Sequence, residues 1–513
     1  MVASGHGTGV RSGKGKNRTP DMHATRKSDG NIVPKKQTNK EEISSAESVE
    51  GRTPTKRNTG QSPTVRTQSR GAVSSGLSSV RQAAQRNKEE RFTALLHHVS
   101  VDLLGKSYSN LKRDAAAGVD GVSWAEYGEL LKERLTELHG RIHRGSYRAL
   151  PSKRGYISKA GGGRRPLGIT VLEDKIVQRA LVEVLNQIYE VDFLGFSYGF
   201  RPGRSAHDAL DALGVALTRR KVNWVLDADI RSFFDTIDHG WLMKFVEHRI
   251  ADPRVLRLIR KWLRAGVLEG GRLSATEVGS PQGAVISPLL ANIYLHYVLD
   301  LWVEWWRSRY ARGDVIIVRY CDDFILGFQY RGEAELFLAH LRKRLGKFNL
   351  ELHPEKTRLI EFGRFAAANR KGRGGGKPET FDFLGFTHIC AKSSKGNYIV
   401  LRKTARKRLA AKCREIRKKI KRRMHEPIAD VGRWLRSVVV GHQNYFAVLG
   451  NMDAVHAFRD EVARAWKYAL CRRSQKGKRL NWERFARIRD YWIPSVRVKH
   501  PLPWERFDAK YSR

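Results

Sequence analysis

The stretch VIIVRYCDDFILGF, Val315 to Phe328, places two adjacent carboxylates between two apolar runs. Both runs are rich in β-branched and aromatic residues, which favours two buried strands. A tight turn with Asp at its corner would join these strands into a hairpin. By chance, a Tyr-x-Asp-Asp tetrad arises in roughly a few per cent of chains of this length. Asp322 and Asp323 alone therefore fit an ordinary hairpin turn as well as a functional site.

A second acidic strand end lies upstream, in the segment LDADIRSFFDTIDH. There Asp227 and Asp229 close an apolar strand that is predicted over Val222 to Ile230. Asp229, Asp322 and Asp323 would then present carboxylates from two neighbouring strands at one edge. Mg²⁺ prefers oxygen ligands, and a pair of ions can clamp the attacking and leaving oxygens of a phosphoryl transfer. Each Asp taken singly fits a turn or a cap; the arrangement favours a metal site.

Two further features suit an incoming nucleotide. Phe234 follows Asp229 by five residues, and an aromatic ring there could floor the sugar pocket and exclude a 2′-hydroxyl. Packing in the core is an equally good explanation for Phe234. A triple glycine lies between Lys159 and the pair Arg164 and Arg165. A flexible basic loop of this kind suits triphosphate oxygens, although one such loop is a weak signal.

Charge dominates the composition of the 513-residue chain, which has 96 Lys and Arg against 52 Asp and Glu. Residues 1–88 hold only 17 basic and 6 acidic residues, so most of the excess belongs to the foldable body. Such a surface favours a polyanion, and nucleic acid is the default partner. The same charge would also suit a structural protein of ribosomes or chromatin.

The four cysteines are far apart and form no CxxC pair. This spacing argues against a disulfide framework and a zinc site, and it favours a reducing compartment. No apolar run reaches the roughly 18 residues of a membrane span, so we expect no membrane partner. We expect a cytoplasmic protein, associated with the nucleoid if the source is bacterial.

Segments of biased composition divide the chain. Residues 1–88 contain no aromatic residue, which predicts a disordered basic tail. The insert NRKGRGGGKP, Asn369 to Pro378, is expected to be a mobile loop. From Arg402 to Arg423 there are thirteen Lys and Arg against one acid, with apolar residues at helical spacing. So lopsided a helix indicates an anionic partner more than an ordinary solvated face. Its candidate RNA contacts are Arg406, Lys407, Arg414, Arg417, Lys418 and Lys421.

From about Tyr108 to the C-terminus, the chain resembles the group II intron reverse transcriptase/maturase family. The motifs that carry the resemblance occur in order: AAAGVDGVS, KAGGGRRPLGI, DKIVQRAL, FSYGFRPGRSAHDAL, DIRSFFDTIDH, GSPQGAVISPLLANIYL, YCDD, LHPEKT and FLGF. So many ordered motifs at familiar spacings make the resemblance highly specific. It implies an RNA-directed DNA polymerase that also binds group II intron RNA and assists splicing and mobility.

The resemblance implies roles for individual residues. Asp229, Asp322 and Asp323 match the catalytic carboxylates that bind two Mg²⁺ ions, for which Mn²⁺ can substitute. Phe234 matches the gate against ribonucleotides. The other nucleotide contacts would be Lys159, Arg165, Gln282 and Lys356, with Gly283 permitting a close backbone approach. The implied partners are intron RNA, an RNA template with a DNA primer, dNTPs and a DNA target.

The implied fold is α+β: a polymerase of the right-hand architecture, with fingers, a split-βαβ palm sheet and a helical thumb. The hairpin of Asp322 and Asp323 should lie beside the strand of Asp229. The expected domains are a tail at 1–88, an N-terminal extension of the fingers at 89–150, fingers and palm at 151–390, a thumb and maturase-specific domain at 400–465, and a basic nucleic-acid-binding segment at 466–513.

Two departures from the family pattern carry expectations. Cys321 stands where Ala is more common, and we expect retained activity with sensitivity to thiol oxidation. Cys471 has no paired cysteine, which implies the form without an HNH endonuclease. Two alternatives remain. A splicing factor with an idle polymerase is disfavoured because degenerate maturases lose the acids that this chain keeps. A domesticated reverse transcriptase in defence or repair is not distinguished by the sequence.

Overall fold

Three β-sheets and a series of helices make up the described part of the chain. The computed structural model describes residues 75–158, 164–274, 278–279 and 283–511. This mixture of helix and sheet agrees with the α+β class expected from the sequence.

The end of the predicted disordered tail is helical, so that expectation is wrong for its last residues. Helix α1 (Ser75–Arg86) buries Leu77, Val80 and Ala84. These small apolar side chains lie at helical spacing, and α1 packs against the long helix at Leu172–Asp192. The neighbouring helix supplies the apolar surface that the tail itself lacks. The rest of the predicted tail, residues 1–74, lies outside the described residues.

The first sheet is formed around a hairpin in the N-terminal half. The elements there are α2 (Val101–Ser109), α3 (Trp124–Gly128), α4 (Leu131–His143), β1 (Ser152–Ser158), β2 (Arg164–Ile169), α5 (Leu172–Asp192), α6 (Ala206–Arg219), β3 (Trp224–Asp229), α7 (Phe233–Thr236), α8 (His239–Glu247), α9 (Pro253–Arg264), β4 (Val267–Glu269) and β5 (Arg272–Ser274). Four of these strands pair in the order β2–β1–β4–β5. Strand β3 belongs to the next sheet.

The central sheet contains the quoted hairpin. Its further elements are α10 (Ser287–Leu295), α11 (Leu301–Tyr310), β6 (Val315–Tyr320), β7 (Asp323–Phe328), α12 (Arg331–Gly346) and β8 (Arg358–Glu361). A π-helical turn over His296–Asp300 joins α10 to α11. The strand order is β6–β7–β3–β8, and all neighbours are antiparallel. The hairpin thus lies beside β3, as predicted, and its apolar residues pack into a core with α6.

The C-terminal part consists of a small sheet followed by helices. Its elements are α13 (Ala366–Gly372), β9 (Phe381–Phe383), β10 (Phe386–Lys392), β11 (Tyr398–Thr404), α14 (Arg406–Arg422), α15 (Ile428–Phe446), α16 (Met452–Arg473), α17 (Trp482–Trp492) and α18 (Pro503–Lys510). The third sheet has the order β11–β10–β9. Ile416 and Ile420 of α14 are buried against α15, α16 and α17, which confirms the apolar stripe predicted in the basic helix. In the part of the chain that the structure describes, no helix combines the length and apolarity needed to cross a membrane.

The insert expected to be a mobile loop begins inside α13 and is ordered there. The Asn369 side-chain amide donates to the Glu361 carboxylate at 2.9 Å, and Arg373 forms an ion pair with the same acid. These contacts with Glu361, a residue of β8, hold the first part of the insert in place. The composition of the insert alone did not indicate them.

Candidate active site

Three carboxylates meet at one end of the central sheet, and we call Asp229, Asp322 and Asp323 the acidic edge. Asp229 is the last residue of β3 and pairs directly with Asp323, the first residue of β7. Asp323 also pairs with Tyr320 across the hairpin, so the turn consists of Cys321 and Asp322. The buried apolar residues of β3, β6 and β7 fix the strands, and the acids stand where these runs end.

The hairpin turn adopts an uncommon backbone conformation. Cys321 is buried and has a φ of 60°, at the first turn position, which a type II′ hairpin turn usually gives to glycine. Gly199 lies against this turn, and a Cβ added to it would overlap the backbone nitrogen of Cys321. The absence of a side chain at Gly199 therefore lets the segment after Phe196 support the turn closely.

Electrostatic crowding is strong at the acidic edge. Loss of solvation, and after it repulsion from Asp322, Asp229 and Asp227, raises the pKa of Asp323 to about 6. By surface area Asp323 is nevertheless exposed. A bound cation would relieve the repulsive part of the shift. Burial also raises the pKa of Asp227, although the guanidinium of Arg358, 3.2 Å away, opposes the shift.

Lys356 already contributes one cation to the acidic edge. Its ammonium donates to Oδ2 of Asp229 at 2.5 Å, and its side chain is 61% exposed. LHPEKT, which carries Lys356, follows α12 and leads into β8, next to β3. The structure therefore brings Lys356 together with Asp229, as the resemblance implied for a lysine near the active site.

The acidic edge fits a hard divalent cation by the chemistry of its ligands. Carboxylate oxygens are the ligands that Mg²⁺ prefers, and carboxylates that repel one another gain from a shared cation. Within the described ranges, no group of three or more His, Cys, Asp or Glu side chains is already arranged around a metal position. The three carboxylates would have to turn toward a common point to hold an ion.

The structure describes only some of the residues that are predicted to contact the nucleotide. Phe234 is half-buried in α7, whereas its neighbour Phe233 is buried and meets it edge to face, with ring centroids 5.5 Å apart. The core role is thus taken by Phe233. Lys159 and Gln282 lie outside the described residues, and of Arg165 only the backbone is described, paired with Ile157 in the β1–β2 hairpin.

Gly283 brings the segment after Gln282 against the first sheet. Its φ is 115°, and a Cβ added there would lie 2.7 Å from the carbonyl oxygen of Gly168 in β2. A residue with a side chain would be excluded on both grounds. The backbone at Gly283 thus packs closely on β2, and its approach to a nucleotide stays a prediction.

The predicted RNA contacts lie together on the solvent side of α14, and we call them the basic face. Its members are Arg406, Lys407, Arg414, Arg417, Lys418 and Lys421, and all six are exposed. Arg417 forms an ion pair with Glu461 of α16. For the other five, no carboxylate of the described residues lies within ion-pair distance. Their charge is available to an external anion.

Gly199 and Arg358 lie near the acidic edge and were not predicted from the sequence. Gly199 lies in a motif that served only to identify the family. Its position between two aromatic residues, Tyr198 and Phe200, could have indicated a close backbone contact. Arg358 pairs with Asp227, but one arginine among so many gives no sequence signal of its own.

The chain matches the family model described as "Reverse transcriptase (RNA-dependent DNA polymerase)" over residues 157–388. It is 38% identical to Protein YkfC of Escherichia coli strain K12 over 274 residues, which are 47% of this chain and 71% of that protein. Identity to the group II intron-encoded protein LtrA of Lactococcus lactis subsp. cremoris is 36%, over 44% of this chain and 38% of LtrA. A putative COX1/OXI3 intron 1 protein of Saccharomyces cerevisiae is 31% identical over 42% of this chain and 26% of its own length.

Proposed function

Because the chain belongs to the family of group II intron-encoded reverse transcriptases and maturases, we propose that it copies RNA into DNA and that it binds a group II intron RNA, whose splicing and mobility it assists. The polymerase part is carried by the register of the central sheet, which sets Asp229 opposite Asp323 with Asp322 in the adjoining turn. The substrates would be an RNA template with a DNA primer and dNTPs, and a DNA target would receive the product.

In this proposal the central sheet is the palm, the first sheet belongs to the fingers, and the helices from α14 onward form the thumb and maturase-specific domain. The contact of Gly283 with Gly168 supports this assignment, because Gly283, the residue after Gln282 in the sequence, lies against the strand that contains Arg165. The nucleotide would then enter between the first sheet and the acidic edge.

The acidic edge would hold two Mg²⁺ ions, or Mn²⁺ in their place. When bound, such ions offset the charge on the attacking and leaving oxygens of the nucleotidyl transfer. The chain itself supplies rigid placement, because strand pairing fixes two of the three carboxylates. Binding the cation would also keep Asp323 ionised, since the repulsion that raises its pKa would be neutralised.

Lys356 and Phe234 would complete the nucleotide site. The salt bridge from Lys356 neutralises Asp229 before substrate arrives, and the exposed ammonium can turn to a phosphate once a divalent cation takes its place. Phe234 is only half-buried, in contrast to Phe233. That ring would block a 2′-hydroxyl and so select deoxynucleotides.

The basic face would bind intron RNA through its phosphates. Five of its six cations have no carboxylate partner among the described residues, and cations of this kind release counterions when phosphates approach. Affinity should therefore fall steeply with salt.

The test is primer extension by the purified full chain on an annealed RNA template and DNA primer, with dNTPs and Mg²⁺. The Asp322→Ala/Asp323→Ala variant should extend no primer. Asp453→Ala/Asp460→Ala, which removes two exposed acids from α16, should extend like the wild type. If the wild type failed to extend but bound intron RNA tightly, the polymerase proposal would be wrong and a splicing factor would be favoured.

A further inference from the structure

A buried arginine lies directly beneath the acidic edge. Arg319 is the fifth residue of β6, two positions before Cys321, and its side chain has no exposure to solvent. A buried guanidinium is costly unless its charge is balanced and its donors are all paired. Asp300, which is also fully buried, balances the charge: Nε of Arg319 donates to Oδ1 at 2.7 Å and Nη2 donates to Oδ2 at 2.5 Å.

The other donors of Arg319 hold three separate segments. Nη2 donates to the Ser197 hydroxyl at 2.8 Å, and Nη1 donates to the Asn292 side-chain oxygen at 3.0 Å and to the Cys321 carbonyl at 2.9 Å. All five N–H donors of the guanidinium thus have acceptors. Lysine has three donors and no planar fork, so it cannot reproduce this set.

The bond to Cys321 reaches the peptide that connects Cys321 to Asp322. Cys321 has the positive φ that residues with a side chain rarely adopt, so the turn needs support from its surroundings. Gly199 supplies a second support, since its carbonyl accepts a hydrogen bond from the Asn292 amide at 2.7 Å while its backbone packs on the turn. Arg319 and Asn292 therefore connect the turn to Asp300 and to the segment of Gly199.

We infer that Arg319 is a positioning residue of the reaction: its fork to Asp300 fixes the guanidinium, and its bond to the Cys321 carbonyl sets the orientation of Asp322 and Asp323. The inference rests on the proposed polymerase function. Sub-ångström placement of the carboxylates matters because small displacements of catalytic groups cost large factors in rate. Arg319 touches no substrate and acts only through the turn.

The test compares Arg319→Lys with Arg344→Lys in the full chain. Arg344 is a matched control, because it is buried and donates to the carbonyls of Val298 and Tyr297, at 2.9 and 3.0 Å, and not to the turn. Both variants should melt at a lower temperature than the wild type. Single-nucleotide incorporation, measured well below both melting temperatures, should show kcat reduced at least about tenfold for Arg319→Lys alone, with the KM for dNTP unchanged.

Amide hydrogen exchange gives a readout that does not depend on activity. With neither primer nor dNTP present, exchange in a peptide covering residues 319–324 should be faster in Arg319→Lys than in the wild type. Peptides from β3 should keep wild-type protection in that variant, and Arg344→Lys should leave the 319–324 peptide unchanged. Faster exchange throughout the sheet would mean a purely structural role and would overturn the inference.

If Arg319→Lys does not fold, the Arg319→Met/Asp300→Leu double variant replaces it, because removing both charges leaves no unpaired buried ion. The same loss of kcat is expected. A folded variant with wild-type kcat, or an equal loss of kcat in Arg344→Lys, would overturn the inference and leave the proposed function intact. A wild-type chain that extends no primer would overturn the proposed function, and the inference with it.

Discussion

The acidic edge of the central sheet and the basic face of α14 both gather like charges, but the fold treats them differently. The carboxylates stand at the ends of paired, buried strands, where loss of solvation and then mutual repulsion raise the pKa of Asp323 to about 6. The cations project from an exposed helix, and most have no carboxylate partner among the described residues. The acidic edge holds carboxylates that repel one another in fixed positions, whereas the basic face distributes its cations over a solvated surface.

In the proposed function, this difference separates catalysis at the acidic edge from RNA binding at the basic face. A phosphoryl transfer needs charges held in fixed positions, because only interactions aligned with the transition state lower its barrier. Affinity for a polyanion needs a number of cations and little geometry. Changes at the acidic edge should therefore act on rate with large single-residue effects, whereas changes on the basic face should act on affinity and add up gradually.

The largest expected effect is that of Asp229→Asn. Losing one charged ligand at the acidic edge should reduce kcat for primer extension by about 10²- to 10³-fold or more, without weakening RNA binding. Asp227→Asn is the matched control, since Asp227 lies on the same strand but pairs with Arg358 at 3.2 Å. Its kcat should fall by about tenfold or less. Equal losses in the two variants would mean that charge, and not position, matters at this edge.

Phe234→Ala should have the next largest effect, on selectivity. Removing the ring should reduce the preference for a deoxynucleotide over its ribonucleotide by roughly 10²-fold, while kcat/KM for the deoxynucleotide changes little. Phe233→Leu, at the buried neighbour, should lower the melting temperature and leave the preference intact. Single-nucleotide incorporation with each sugar measures the ratio. An unchanged preference in Phe234→Ala would show that its ring does not contact the sugar.

A charge-removal variant tests the basic face. Arg414, Lys418 and Lys421 recur at helical spacing on one side of α14. Changing all three to Gln should weaken intron RNA binding by between about tenfold and a hundredfold at 0.15 M salt, and it should reduce the slope of log affinity against log salt by about 2. Rates on a short primer–template should be maintained. The same three-charge loss at Arg342, Lys343 and Lys347 is the control, and an equal loss of affinity there would refute a local RNA site.

The last expected effect concerns the stability of the third sheet (β11–β10–β9), which lies between the acidic edge and α14 in the sequence. Burial, and after it repulsion from Arg402, lowers the pKa of His388 to about 3, against about 6.5 in an unfolded chain. As the pH falls below 6.5, the unfolded chain takes up a proton that the folded chain refuses, so the free energy of unfolding falls. Between pH 7 and pH 5 this one group should cost about 2 kcal/mol.

Urea unfolding of His388→Phe at the two pH values measures this contribution. The substituted ring can still pack on Phe381, whose ring stacks on His388 at 4.7 Å, and the variant should lose about 2 kcal/mol less than the wild type between pH 7 and pH 5. His456→Phe, at an exposed histidine, should keep the wild-type pH dependence. A wild-type slope in His388→Phe would show that His388 does not account for the loss.

The sequence predicts the acidic edge well because local pattern determines it. Apolar runs that end in Asp define β3 and the hairpin, and the strand period places the acids at one end. The support beneath the edge is not predictable in this way. Arg319 was within the quoted stretch, yet in so basic a chain nothing distinguished it from a solvated arginine. Its partner Asp300 lies in the π-helical turn just after the motif that ends at Leu295, and no motif includes it.

Other differences have the same physical origin. The helix α1 and the ordered insert at Asn369 depend on contacts with α5 and with Glu361, which composition does not register. Conversely, the thin apolar stripe of α14 was sufficient, because Ile416 and Ile420 are buried and Leu409 and Cys413 pack beside them on the same side of the helix. Local periodicity predicts where a helix or strand forms. Whether a polar segment with few apolar residues is ordered depends on contacts with residues that are distant in the sequence.

The most direct test of the separation measures both properties on one preparation of Asp322→Ala/Asp323→Ala. Extension of a DNA primer on an RNA template and the dissociation constant for a group II intron RNA would be determined in the same buffer, with the Asp453→Ala/Asp460→Ala variant alongside. The account predicts that extension disappears while the dissociation constant stays within about twofold of the wild type. Continued extension, or a joint loss of extension and RNA binding in a folded variant, would contradict it.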